Sequence, residues 1–273
     1  MKTITSLQNP LVKKIDLLTT KSRERRREGL FVAEGLRETA LALAAGYLPL
    51  QVFFDPAFTE LEVVRQWCGN ALAASPEVVA LQSNVFEKLA YRSGVPNVLA
   101  LFQMPQRTLE EVALPEVPLI LVLESIEKPG NLGAILRTAD AAGVDAVLVC
   151  DPATDLYNPN TIRASLGALF TLQVRTSTSE AAAAWLKDHR IPVYATYLEA
   201  SRSLYSCDLT GPLALVMGAE ASGISPFWIE CAEERIIIPM QGRVDSMNVS
   251  ASTAILLFEA VRQRITKARP GSG

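Results

Sequence analysis

The chain has 273 residues, 49% of them apolar and 20% charged, and a formal net charge of −3. That balance excludes a disordered or fibrous chain and allows one large domain or two ordinary ones. No apolar run approaches the roughly 18 residues of a membrane-spanning helix, and MKTITSLQNPLVKK has no apolar run behind its charges, so neither a membrane segment nor a signal peptide is expected. The expected compartment is the cytosol. Cys68, Cys150, Cys207 and Cys231 form no C-x-x-C pair, and three of them adjoin apolar stretches, so buried free thiols are expected rather than disulfides or a metal site. The single histidine, His189, lies in the polar run KDHR, which argues against zinc chemistry and a Ser-His-Asp triad.

The net charge is unevenly placed. Residues 1–30 carry eight Lys/Arg against Asp16, Glu24 and Glu28, a balance of +5 that leaves −8 for the remainder. A basic arm on an acidic chain suits a local anionic partner such as nucleic acid. It equally suits a solvated helix whose arginines pair with Glu24 and Glu28.

Next comes an alternation of short β-branched runs and longer helical stretches. Leu30–Val32 reads as a strand, Leu36–Ala45 as a helix stopped by Gly46, and Gln51–Phe54 as a strand. A helix over 59–73, a strand at 77–81, a helix at 83–90 and a strand at 97–102 complete an α/β unit, residues 1–103. Residues 104–117 carry Pro105 and Pro115 without sustained periodicity and read as a linker. From 118 to 268 a second α/β unit is expected. PLILVLE (118–124) has the continuous apolar character of a strand buried on both faces of a parallel sheet. Further strands are expected at 145–150, 171–174, 192–196, 213–217 and 235–238. Helices fit between them, one long helix closes the chain at 249–266, and the tail ARPGSG is expected to fray.

Three polar, glycine-bearing clusters fall where strands should end, which is where ligands bind in open α/β sheets. In the first, SIEKPGNLGAILRTADAAG (125–143), Asn131 is placed to cap a helix ending at Gly143. Arg137 stands among apolar helical residues, and its guanidinium calls for a carboxylate or a phosphate. The second, LALVMGAEASGIS (213–225), runs a buried strand into Gly218, Glu220, Ser222 and Gly223. The third, IIIPMQGRVDSMNVS (236–250), carries Arg243, Asp245, Ser246 and Asn248 ahead of a helix capped by Asn248 or Ser250. No G-x-G-x-x-G is present.

Together the clusters resemble the SpoU (TrmH-like) family of RNA ribose 2′-O-methyltransferases, of the wider SPOUT class. Asn131–Ala139 fits N-x-G-A-x-x-R-T-A throughout. Gly218, Glu220 and Gly223 fit G-x-E-x-x-G, with Ala219 where many members have Asn. Ile238–Ser250 fits I-P-M-x-G-x-x-x-S-L-N-V-S, with Met247 for Leu, a near volume-conserving exchange. Residues 25–47 resemble the start of the L30e-like substrate-binding domain that precedes many SpoU domains. The resemblance implies an L30e-like α/β domain followed by a SPOUT domain with a deep trefoil knot, a rare topology. It also implies a homodimer through the C-terminal domain.

The implied reaction moves the methyl group of S-adenosyl-L-methionine to a ribose 2′-hydroxyl of structured RNA, 23S ribosomal RNA being favoured over transfer RNA. By position in the motifs, Gly218, Ile238 and Met247 would contact the cofactor. Arg137 would fix a phosphate beside the target ribose and stabilise the developing alkoxide, since an arginine is not deprotonated in proteins. Asn131, Glu220, Ser246 and Asn248 would orient Arg137 and the hydroxyl. Arg25, Arg26, Arg27 and Arg37 are the candidates for RNA backbone contacts. No metal is expected. A non-catalytic RNA-binding protein of this fold would show decayed cofactor loops, whereas these are intact. A doubly wound nucleotide-binding enzyme would carry its glycine loop early, whereas these lie late.

Overall fold

In the computed structural model the apolar runs and helical stretches become elements close to those expected, and residues 2–68, 76–91, 97–200, 202–244 and 246–268 are described. The chain begins with β1 (Lys2–Ile4), α1 (Pro10–Thr20), α2 (Ser22–Glu28), β2 (Leu30–Glu34), α3 (Leu36–Ala44), β3 (Pro49–Phe54), α4 (Leu61–Cys68), β4 (Glu77–Leu81), α5 (Ser83–Leu89) and β5 (Val98–Gln103). Next come β6 (Leu119–Glu124), α6 (Pro129–Ala141), β7 (Ala146–Cys150), α7 (Pro159–Ser165), α8 (Ala168–Thr171), β8 (Val174–Ser177) and α9 (Ser179–Asp188). The chain closes with β9 (Val193–Thr196), β10 (Arg202–Ser203), β11 (Leu213–Met217), α10 (Pro226–Cys231), β12 (Glu234–Ile237) and α11 (Val249–Ala268).

Two compact units form, Met1–Gln106 with Tyr157–Thr171, and Arg107–Leu156 with Leu172–Gly273. In the first, the sheet order is β1-β4-β3-β5-β2, with β1, β4 and β3 parallel and β5 antiparallel to both β3 and β2. Phe31 stacks on Phe102 and on Tyr157, at 5.4 and 4.4 Å between ring centroids. Phe170 sits against Tyr47 edge-on, so the segment 157–171 is held in this unit by aromatic packing.

The second unit holds a seven-stranded sheet, β10-β12-β9-β11-β6-β7-β8, parallel throughout. Every residue of β6, β7 and β11 is buried, as their unbroken apolar sequences require. From β6 the chain moves outward through β7 and β8, then returns to build the strands on the other side of β6, which makes the carboxyl ends beside β6 a switch point. Leu109 and Val112, in the stretch read as a linker, pack into this unit's core with Ile120 and Val122.

Three expectations need correction. The strand expected at 171–174 starts at Val174, because the apolar run before it folds as the helical turn α8 and buries Leu169 and Phe170. Asn131 is not a cap: Pro129, with its φ preset for a helix, begins α6 two residues earlier. Of the cysteines, Cys150 and Cys207 are buried but Cys231 is exposed. The expected helix over 59–73 is described only to Cys68, and the tail 269–273 lies outside the described residues, as does Asp245.

Candidate active site

A cleft of about 430 Å³ opens at the carboxyl ends of β9, β11 and β12 in the second unit. Its walls come from 196–199, 217–224, 236–240 and 246–256, and they are mostly apolar: Met217, Ile236, Ile237, Ile238, Met240, Met247 and Leu256. The polar groups are few, as in a small-molecule site.

Gly218 shows why the second cluster needs its glycine. A Cβ there would stand 2.1 Å from the Gly223 carbonyl oxygen and 2.3 Å from the Ile224 nitrogen. The loop folds back on itself, with the Gly223 N–H donating to the Ala219 carbonyl at 3.0 Å. The glycine is therefore required for the loop to close on itself, and Gly218 lines the cleft from within that turn.

Three positions drawn from three separate clusters meet beside this loop. The Asn131 amide, free of capping duty, donates to Glu220 Oε1. Asn248 Nδ2 approaches Asn131 Oδ1 at 3.4 Å, while Asn248 Oδ1 accepts from the Ser250 N–H at 2.9 Å and so caps α11. Glu220 Oε2 is buried and has no hydrogen-bond partner among the described residues. A buried carboxylate oxygen left open in this way is suited to a donor brought by a ligand. Ser246 is exposed and lines the cleft, as do half-buried Ile238 and Met247.

Arg137 lies apart from this group. Its side chain is exposed and, among the described residues, has neither an acidic partner nor a hydrogen bond; the structural ion pair is therefore not formed. It stands six residues beyond Asn131 on α6, about 9 Å along the axis, and does not line the cleft.

In the first unit the four candidate arginines separate. Arg25 is 1% exposed, and its Nη1 donates to the carbonyls of Leu18 at 2.6 Å and Thr19 at 3.2 Å. It closes the carbonyl end of α1 and is withdrawn as an RNA contact. Arg27 is exposed but paired with Glu24 and Glu28, and the Glu28 carboxyl is held below its usual range first by Arg27, then by Lys14. Arg26 and Arg37 are exposed and unpaired among the described residues.

Sequence reasoning missed the fourth wall of the cleft. Thr196 ends β9, Tyr197, Leu198 and Glu199 follow it, and none carries a motif; only their position at the end of a strand signals them. Tyr197 donates to Glu199 Oε2 at 2.9 Å, which raises the phenol above its ordinary pKa. Among the described residues no group of His, Cys, Asp or Glu could hold a metal ion, and no helix is long and apolar enough to cross a membrane.

Residues 118–258 match the sequence model of the SpoU rRNA Methylase family, and residues 9–100 match that of an MRM3-like substrate binding domain. The 23S rRNA (uridine(2479)-2′-O)-methyltransferase of Streptomyces viridochromogenes is 30% identical over 251 residues, covering 89% of this chain and 86% of its own. The 23S rRNA (guanosine-2′-O-)-methyltransferase RlmB of Pseudomonas putida is 38% identical over 205 residues, or 72% of this chain and 83% of its own. Among solved structures, an AdoMet-bound rRNA methyltransferase from Sinorhizobium meliloti superposes with a TM-score of 0.87. It is 31% identical and covers 96% of this chain and 97% of its own.

Proposed function

The chain belongs to the SpoU rRNA methylase family, and from that premise we propose that it methylates a ribose 2′-hydroxyl of structured RNA, 23S ribosomal RNA, with S-adenosyl-L-methionine as methyl donor. The observation that carries this reading is the convergence of the three clusters on one cleft: a glycine cradle, an apolar wall and an Asn131–Glu220–Asn248 group beside it.

The residues present fit the cofactor. Gly218 lines the cleft just past the end of β11, in a turn that only glycine allows, and its peptide groups would meet an adenine edge there. Ile238 and Met247 supply the apolar contact area. When bound, S-adenosyl-L-methionine supplies a methyl group activated by a sulfonium, so the protein has to orient the hydroxyl and ease the loss of its proton.

Asn131, Glu220 and Asn248 brace one another, and with Ser246 they would position the ribose. Arg137, exposed and unpaired, is available to a phosphate beside that ribose, and its fixed positive charge would stabilise the oxyanion as it develops. Arg26 and Arg37 would hold RNA backbone in the same way.

The same proposal includes a homodimer through the second unit, where α6 and α11 pack together and α11 leaves Phe258 and Ile265 exposed. It includes the trefoil knot, formed by the segments around the cleft, and residence in the cytosol.

The test is methyl transfer from labelled S-adenosyl-L-methionine into total RNA of a strain lacking the gene, mapped by resistance to alkaline hydrolysis. One protected position in 23S rRNA, absent with Arg137→Ala, is expected. Label confined to transfer RNA, or none despite cofactor binding, would refute the substrate or the activity respectively.

A further inference from the structure

At the carboxyl ends of β6 and β7, next to β11 in the sheet, lies a set of polar groups that none of the assigned site residues includes. β6 ends in Glu124, whose carboxylate is buried, and Glu124 is in register with Cys150 at the end of β7, itself in register with Ser177 of β8. The chain leaves β6 and β7 through Ser125 and Asp151, two non-glycine residues in the left-handed region, at φ 52° and 47°. Side chains rarely tolerate that conformation, and it persists where surrounding contacts over-determine it. Here the contacts are a series of hydrogen bonds. The Ser125 N–H donates to the Cys150 carbonyl at 3.0 Å, and Ser125 Oγ to the Asp151 carbonyl at 3.1 Å. The Asp151 carboxylate accepts from both the N–H and the hydroxyl of Ser179, at 3.1 and 2.6 Å.

This series ends on α10, the helix that follows the 218–224 loop. Ser179 Oγ, its proton committed to Asp151, presents a lone pair to the indole N–H of fully buried Trp228 at 2.9 Å. Three residues before Trp228, the Ser225 N–H donates to Glu124 Oε2 at 2.7 Å. The Ser225 hydroxyl makes no capping bond to α10, so Glu124 is the group that fixes the loop's exit. The exit of the loop is thus tied at Ser225 directly to the Glu124 carboxylate, a strong hydrogen bond because its acceptor is charged, and α10 is tied at Trp228 to the Asp151 carboxylate through the Ser179 hydroxyl.

We propose that Glu124 and Asp151 are positioning residues for S-adenosyl cofactor binding. Without touching the ligand, they hold α10, and through it the 218–224 loop, in the shape that leaves the Gly218 cradle open. This rests on the cofactor reading given above. The two ties act on the same helix, so removing either loosens the same wall of the cleft.

The test is calorimetric titration of the full-length protein with S-adenosylhomocysteine, with folding checked by circular dichroism. Wild type is expected to bind. Glu124→Ala, which strips the Ser225 N–H of its acceptor, should raise Kd about tenfold, the equivalent of one charged hydrogen bond. Glu124→Gln, whose amide oxygen can still accept, should recover most of that loss. Ser179→Ala, acting from the Trp228 end, should weaken binding to a similar degree, and it carries the test if Glu124→Ala does not fold. In methyl-transfer assays the same variants should raise the KM for S-adenosyl-L-methionine with kcat retained, and RNA affinity should be unchanged. Folded variants of lowered Tm that bind S-adenosylhomocysteine as wild type does would show a purely structural role and overturn the proposal. Wild type that fails to bind would instead overturn the cofactor reading, and this inference with it.

Discussion

Replacing Gly218 with alanine is the sharpest single test of how the cleft is built. The added Cβ would meet the Gly223 carbonyl oxygen at 2.1 Å, its carbon at 2.2 Å and the Ile224 nitrogen at 2.3 Å. All three are backbone atoms, so no change of rotamer relieves the clash, and the 218–223 turn has to open. Opening breaks the bond from the Gly223 N–H to the Ala219 carbonyl, now 3.0 Å. Forced overpacking costs about 1–3 kcal/mol and the lost hydrogen bond about 1 kcal/mol, so the expected destabilisation is about 2–4 kcal/mol. At about 2–4 °C per kcal/mol for a domain of this size, Tm should fall by about 5–15 °C. The assay is a thermal melt of both proteins, alone and with S-adenosylhomocysteine, because a ligand that binds only the native state raises Tm. Wild type should be stabilised by the ligand and the variant should not. An alanine variant with wild-type Tm and a wild-type ligand shift would refute both the clash and the cradle.

Arg137→Ala should slow methyl transfer by about 10²–10³-fold, the range for losing one electrostatic donor, while leaving Tm unchanged because the side chain is exposed and unpaired among the described residues; wild-type turnover would remove Arg137 from the mechanism. Arg25→Ala should do the reverse, costing about 1–3 kcal/mol as the carbonyls of Leu18 and Thr19 lose their donor, with the salt dependence of RNA binding unaltered. Arg26→Ala and Arg37→Ala should each leave stability alone and reduce the slope of log K against log salt by about one unit; a flat response would exclude those phosphate contacts. Burial, followed by the charge of Asp151, pushes the Cys150 thiol up to about 12, well above an ordinary thiol, so native protein at pH 8 should be alkylated first at exposed Cys231 and not at Cys150. Because the folded state then holds a proton that the unfolded state releases, this thiol should lower stability as pH rises from about 9 towards about 12, a slope that Cys150→Ala should flatten in alkaline denaturation.

The strand and helix pattern was legible because apolar periodicity is local. An unbroken run such as LILVLE can be satisfied only by burial on both faces, wherever its partners come from. The motifs were legible for a related reason: Gly218, Asn131 and Asn248 belong to short segments whose residue types are constrained by backbone approach, polar contact and capping. Helix starts were less secure. Asn131 read as a cap because its side chain is suited to one, yet Pro129 began the helix first and released Asn131 for Glu220.

Burial and partnership are properties of the folded chain. Nothing near Arg25 distinguishes it from Arg26 and Arg27, and only the packing of α2 against α1 places one guanidinium inside and leaves the others in solvent. The run 157–171 follows β7 in sequence but packs with the first unit, because its aromatic side chains find their partners there. Sequence alone thus determined the element types, the three clusters and the family they resemble, each set by residues close together in the chain. Tertiary structure decided that Asn131 meets Glu220 across 89 positions, that a Cβ at Gly218 has no room, and that Glu124 accepts from Ser225 and Asp151 from Ser179. Such contacts depend on how distant segments fill the same space, and no local pattern records that.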